Sequence, residues 1–169
     1  MILALTGSSL TGKTTLGRQI AGVFNLPLRV CGDEVRRAAA ELRVDLGDVP
    51  VELHRQIDDA TREWAERNQP SIVDGRFLDY VLGPATKNVL LIRLESGEAD
   101  RQKRSSGRAG RDVKSLSVVE EDSADAAHVA RLYFGTQPAK PTMTLDTNAL
   151  TPDACLEILK PFLTNLSPA

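Results

Sequence analysis

The sequence predicts an α/β domain, a parallel β-sheet covered by helices on both faces. Three observations predict it. Short apolar runs alternate with amphipathic stretches along the whole chain, the pattern of strands joined by helical crossovers. The first run, Ile2-Leu3-Ala4-Leu5, is continuously apolar, as a strand buried on both faces must be. It leads directly into Gly7-Ser8-Ser9-Leu10-Thr11-Gly12-Lys13-Thr14, a complete G-x-x-x-x-G-K-T loop, and helical spacing follows it.

Each element has its own signal. Leu16, Ile20, Val23 and Phe24 recur at helical spacing and predict the buried stripe of the first helix. Leu28 to Cys31 reads as a second strand, and Asp33 to about Asp45 as a helix rich in Ala, Glu and Arg. Pro50 opens a third helix, with Leu53, Ile57, Ala60 and Trp64 as one apolar stripe, and Pro70 ends it. Ser71 to Asp74 reads as a third strand and Asn88 to Leu94 as a fourth. Glu98 to Arg104 reads as helical and runs into the basic, Gly-containing stretch from Ser105 to Arg111. Ser117 to Phe134 reads as helical again. Pro138 and Pro141 precede a fifth strand, Thr142 to Leu145. Thr151-Pro152-Asp153 opens the last helix with a hydroxyl cap and Pro at the first position. Leu156, Leu159 and Phe162 form its expected buried face.

Composition narrows the function. A chain of 169 residues suits one domain. A formal net charge of −2 offers no positive field for nucleic-acid polymers or membranes. Cys31 and Cys155 lie far apart, and two Cys with two His do not make a structural zinc site. A reduced, cytoplasmic setting is expected. The first apolar run is too short for a signal peptide, and none approaches the roughly 20 residues of a membrane span.

The glycine loop carries chemistry. Gly7 and Gly12 permit backbone conformations closed to residues with a Cβ. Successive N–H groups of Ser8, Ser9, Leu10, Thr11 and the residues up to Thr15 can then face a phosphate. Lys13 adds a full positive charge near the β- and γ-phosphates, and Thr14 offers its hydroxyl to Mg²⁺. The helix that begins here turns its positive dipole end to the same place. ATP-type nucleotide binding is the expectation. Parallel sheets bind ligands at the carboxyl ends of their strands, so the residues that follow each strand matter. These are Asp33, Glu34, Arg36 and Arg37 after the second, and Asp74-Gly75-Arg76 at the third. The cationic stretch Arg101, Lys103, Arg104, Arg108, Arg111 and Lys114 follows the fourth.

Together with the phosphate loop, four segments resemble the nucleoside monophosphate kinases, and within them the cytidylate kinase-like P-loop kinases. They are Gly32-Asp33 with Arg36, Asp74-Gly75-Arg76, Ile57-Asp58, and Leu145 to Pro152. Glu121-Asp122-Ser123 followed by Leu132 to Gly135 resembles the same group. The resemblance implies a P-loop NTPase three-layer sandwich with a five-stranded parallel sheet and a mobile basic lid at about residues 98–135. It implies transfer of the ATP γ-phosphoryl group to CMP or dCMP, by a monomer or homodimer. By position, Arg36 and Arg76 would grip the acceptor phosphate, which a guanidinium fork suits. Asp33 would lie beside the acceptor, Asp74 near Mg²⁺, and Asp146-Thr147-Asn148 at the adenine edge. Lys13, Asp33 and the lid arginines Arg104, Arg108 and Arg111 would be catalytic.

The lid departs from that pattern. Val119 and Glu120 stand where related enzymes place Arg, and Asp125, Ala126 and Ala127 stand where further cations would be usual. Lid chemistry then rests on Arg104, Arg108 and Arg111, or on Arg131. A second reading keeps the fold and changes the acceptor to a hydroxylated small molecule, as in gluconate or shikimate kinases. Asp33 would then act as base while Arg36 and Arg76 bind a carboxylate. The lack of an Asp-x-Asp pair after the second strand argues against the shikimate version. A third reading is a nucleotide-binding regulator, for which two acceptor-side arginines and a basic lid would be superfluous. His54 and His128 read as ordinary surface residues.

Overall fold

In the computed structural model, which describes residues 1–83, 86–106 and 117–164, the sheet is parallel and five-stranded, in the order β2-β3-β1-β4-β5. The strands are β1 (Ile2–Thr6), β2 (Leu28–Val30), β3 (Ser71–Asp74), β4 (Val89–Glu95) and β5 (Met143–Asp146). β1 lies at the centre. Ile2 pairs with Ser71 of β3 on one side and Val89 of β4 on the other, and all five of its residues are buried.

Side-chain alternation along β1 divides the core in two. Leu3 and Leu5 face α1 (Lys13–Phe24) and α7 (Pro152–Leu163), meeting Leu16, Ile20, Leu156 and Leu159. Ile2 and Ala4 face the opposite side, among Ala65 of α3 (Val51–Arg67) and Leu78 and Val81 of the single-turn helix α4 (Leu78–Val81). α2 (Cys31–Leu42) covers the β2 edge, where Arg29 lies 6.0 Å over the ring of Trp64 on α3. α5 (Glu98–Ser106) and α6 (Val118–Leu132) stand above the carboxyl end of the sheet. No helix among the described residues is long and apolar enough to cross a membrane.

Capping set two helix starts as the sequence reads them. Thr151 Oγ1 accepts from the Ala154 N–H at the start of α7. At α6, Ser117 and Glu120 form a reciprocal capping box. Elsewhere the expectations shift. Cys31 belongs to α2 and not to β2, an edge strand of only three residues. α2 ends at Leu42, where Arg43 adopts φ 56°, short of the expected Asp45. On α3 the buried positions are Thr61 and Ala65, while Ala60 is exposed. Val23 and Phe162 lie outside the buried stripes, at 57% and 42% exposure. Helical spacing places both beside a stripe, but each points past the neighbour that would cover it. α4 has no expectation behind it, because one turn gives too little periodicity to read.

Leu159 is fully buried between α7 and the sheet. Leu159→Ala should lower stability by about 2–5 kcal/mol. Val23→Ala, at an exposed position of α1, should stay within about 0.5 kcal/mol of wild type. Urea midpoints measured at a common slope check both.

Candidate active site

The loop between β1 and α1 is built from residues that tolerate unusual backbone. Gly7 has φ 132°, Leu10 φ 64° and Gly12 φ 93°. At Gly7 the loop crosses β4 so closely that a Cβ would lie 2.2 Å from the Leu94 carbonyl oxygen. No side chain fits there. Lys13 opens α1 and is 8% exposed. Its Nζ donates to the Ser8 carbonyl at 2.6 Å, so the ammonium lies inside the curl of the loop. That concentrates positive charge where the N–H groups converge.

Thr14, one residue on, donates its hydroxyl to Asp74 Oδ2 at 2.5 Å. Asp74 ends β3 and is 3% exposed. Burial pushes its carboxyl above the ordinary range, and the Thr14 hydroxyl and the Lys13 ammonium pull it back. Asp33 and Arg36 also act on it, the first raising and the second lowering. Thr14 is thus bonded to Asp74, and Lys13, Asp33 and Arg36 lie near enough for their charges to act on it. Arg36 folds back onto Asp33 at 2.5 Å on the first turns of α2. Arg76, two residues past β3, pairs through Nη1 with Asp125 of α6 at 2.6 Å.

Arg104 of α5 reaches the phosphate loop. Its guanidinium donates to the Leu10 carbonyl at 2.9 Å and the Thr147 carbonyl at 2.6 Å. Thr147 Oγ1 in turn donates to the Thr11 carbonyl at 3.0 Å. These bonds fasten the tip of the phosphate loop to the turn after β5. They border a cavity of about 360 Å³ lined by Thr15, Leu16, Arg104, Thr147, Leu150 and Pro152. The cavity continues the phosphate loop towards the Asp146-Thr147-Asn148 turn, where Asn148 N–H bonds Asp146 Oδ1 at 2.9 Å. Arg108 and Arg111 lie outside the described residues, as do Gly107, Gly110 and Lys114. Arg131 sits exposed on the last turn of α6.

Some residues of the cleft had no functional signal in the sequence. His54 and His128 are not ordinary surface residues. Their rings meet edge to face at 4.5 Å, and His128 stacks on Phe77 at 4.9 Å. Tyr133 stacks on Tyr80 at 4.8 Å and donates its hydroxyl to Asp58 Oδ2 at 2.5 Å. Burial pushes Asp58 up to about 6, against the lowering effect of the Tyr133 bond. Burial also raises the Cys31 thiol to about 12, so it stays protonated. This cluster joins α3, α4 and α6 beside Arg76. Asp58 and Tyr133 each lie in a segment that stood out in the sequence, but the bond between them spans 75 residues and had no signal there. Among the described residues no group of His, Cys, Asp and Glu forms a cage for a metal ion.

No family model matches the chain. In sequence it is similar to two cytidylate kinases. It is 30% identical over 102 residues to that of Pyrobaculum neutrophilum, a match covering 57% of this chain and 55% of the other. It is 27% identical over 129 residues to that of Archaeoglobus fulgidus, covering 73% and 68%. The match thus spans about half the length of the Pyrobaculum relative, 55%. In structure it is similar to a gluconokinase from Sinorhizobium meliloti 1021, with TM-score 0.65, 15% identity and coverage of 98% and 92%. A shikimate kinase from Acinetobacter baumannii in complex with shikimate gives TM-score 0.62, 16% identity and coverage of 97% and 93%. The chain therefore has the same α/β fold as these two kinases, and part of its sequence is similar to cytidylate kinases.

The histidine cluster has a pH signature. A free His gains its proton near 6.5, whereas burial lowers His128 to about 4. Between these values the unfolded state binds more protons, so His128 removes stability as pH falls from 6.5 towards 4. His54 is lowered too and acts in the same direction. Asp58 has the opposite sign. Raised from 3.8 to about 6, it holds its proton in the folded state and adds stability as pH falls through 6. His128→Phe keeps the stacking and removes one opposing contribution. Its stability relative to wild type should rise steadily as pH falls from about 7 to 4.5, read from urea midpoints across that range.

Proposed function

We propose that the chain transfers the γ-phosphoryl group of ATP to a nucleoside monophosphate, CMP or dCMP, giving the diphosphate and ADP. The observation that carries this reading is the junction at Asp74. A complete phosphate loop with Lys13 inside it is bonded through Thr14 to Asp74, on which the charges of Asp33 and Arg36 act, with Arg76 two residues beyond. Similarity to cytidylate kinases supports the same acceptor class.

Two phosphorylated ligands brought head to head repel, so the protein must align them and neutralise charge more than do covalent chemistry. The loop N–H groups from Gly7 to Thr15 hold the donor phosphates, and Lys13 neutralises charge on the β- and γ-oxygens. The cavity beside Thr147 and Leu150 takes the adenosine, with Arg104 fixing its walls. Arg36 and Arg76 hold the acceptor phosphate from the other side. Asp33 orients Arg36. The hydroxyl of Thr14 and the carboxylate of Asp74 form an all-oxygen pair that suits Mg²⁺. When bound, that ion supplies charge neutralisation between the β- and γ-phosphates. The domain spans residues 1–169, with residues 98–135 as the lid and α5 and α6 as its stems. Its partners are small molecules, its setting is cytoplasmic, and it works as a monomer or homodimer.

One observation favours a second reading. Each acceptor-side arginine already carries a carboxylate partner, Asp33 or Asp125. That lowers the net positive charge offered to a phosphate and suits a hydroxylated acceptor without one. Coupled ADP release with nucleoside monophosphates, gluconate and shikimate decides. Turnover of CMP or dCMP is expected, and turnover confined to an unphosphorylated acceptor would overturn the first reading.

Lys13→Ala should reduce kcat by about 10²–10³-fold, because its charge matters most in the transition state. Circular dichroism should show the fold retained. Arg104→Ala should raise the KM for ATP about tenfold with a smaller change in kcat, since it shapes the donor cavity and touches no reacting atom. Arg76→Ala should raise the acceptor KM and leave the ATP KM unchanged. Steady-state kinetics with each substrate varied in turn checks all three.

A further inference from the structure

The acceptor side of the cleft is covered by a helix that brings carboxylates to it. α6 docks along residues 76–80 at helical spacing. Asp125 meets Arg76, His128 stacks on Phe77, and Tyr133 at the helix end stacks on Tyr80. One turn before Asp125, Asp122 accepts both terminal nitrogens of Arg101 on α5, at 2.8 and 2.5 Å. Arg101 is itself buried at 6% exposure. Asp125 is therefore fixed from both directions, and its side chain is only 16% exposed. The ion pair crosses 49 residues of sequence and is not a local helix contact.

We propose that Asp125 is a specificity-determining residue that offsets the charge of Arg76 and competes with an acceptor phosphate for it. This rests on the reading of Arg76 as an acceptor-phosphate ligand. The carboxylate takes one N–H of Arg76 Nη1 and offsets the guanidinium charge, and a phosphate on the remaining donors is held beside that carboxylate, where the two negative charges repel. A tethered, pre-oriented carboxylate competes at a high effective concentration. Its side-chain ordering cost is already met by the packing of α6. A bare anion has only the Arg76 contact with which to displace it. An acceptor that also reaches Arg36 and the walls of the cleft has further contacts to offset the loss. Asp125 thus selects against simple anions while admitting a complete acceptor, a repulsive element of the kind that specific sites use.

The competing expectation has the opposite sign. If Asp125 only aimed Arg76 at the phosphate, removing it would weaken binding. A charge effect also leaves a trace that a packing effect does not. Burial already raises the Asp125 carboxyl, and Arg76 is the first group holding it down, with Glu121 and Asp122 pushing it up. A ligand that draws Arg76 away removes that lowering influence from Asp125.

The test uses inorganic sulfate, which carries no proton at neutral pH, and CMP, each titrated calorimetrically. The proteins are wild type, Asp125→Asn, Asp125→Ala, Arg76→Ala and the Arg76→Ala/Asp125→Asn double variant, all checked for cooperative melting. Asp125→Asn and Asp125→Ala should bind sulfate about tenfold more tightly than wild type, about 1.4 kcal/mol. The gain should vanish in the Arg76→Ala background. Unchanged or weaker sulfate binding in both Asp125 variants would overturn the proposal. If wild type phosphorylates no nucleoside monophosphate yet the variants gain sulfate affinity through Arg76, the role of Asp125 stands and the acceptor assignment falls. If CMP is turned over and the variants show no gain, the reverse holds.

Discussion

The close approach of Gly7 to β4 is the constraint on which the rest of the site depends. A Cβ at that position would lie 2.2 Å from a backbone oxygen, which no side-chain rearrangement can relieve. The loop can therefore leave the central strand directly over its neighbour, and α1 starts within the reach of Lys13 and Thr14. The end of β1 also governs the other half of the cleft. The Gly75 N–H bonds the Leu5 carbonyl at 3.1 Å. The Thr6 hydroxyl lies 2.9 Å from the Arg76 carbonyl and 3.3 Å from Asp79 Oδ1. Asp79 in turn takes Arg93 of β4 at 2.6 Å. One strand terminus thus sets the positions of the phosphate loop, of Arg76 and of the turn that carries α4. Displacement of that terminus would move donor and acceptor groups together.

The sequence made the donor half of the site legible because it is local. The phosphate loop, its strand and its helix occupy consecutive residues, and glycine, lysine and threonine at fixed spacing carry their chemistry with them. Strands of four or five apolar residues read well for the same reason. The boundaries failed where an edge or an end is involved. β2 is too short to hold Cys31, and Val23 and Phe162 look apolar and helical but face water. Propensity and period locate a helix more reliably than they locate the neighbour that covers its last turn.

The acceptor half was only partly legible. Asp33, Arg36, Asp74 and Arg76 could be singled out because each follows a strand. Their partners could not. Arg76 finds Asp125 49 positions later, and Tyr133 finds Asp58 75 positions earlier. Nothing in the local pattern of α6 distinguishes a solvated carboxylate from one that faces a guanidinium. His54 and His128 stand on separate helices, and each is unremarkable until α3 and α6 are brought together. Arg104 illustrates the converse. Its place in a basic run drew attention to its charge, and its bonds to Leu10 and Thr147 join the phosphate loop to the turn after β5. A charge run states how many cations a segment carries but not which of them turns inward.

The chain has a single tryptophan. Trp64 of α3 is half-buried and packs against the core of the sheet face opposite α1 and α7, with the Arg29 guanidinium over its ring. Its indole is therefore an intrinsic optical reporter for the edge of the sheet formed by β2 and α3. It senses the electric field of that neighbouring cation, and the sheet lies between it and the cavity beside Thr147 and Leu150. Emission wavelength and quenching in the unlabelled protein would follow events on one half of the cleft while remaining largely blind to the other.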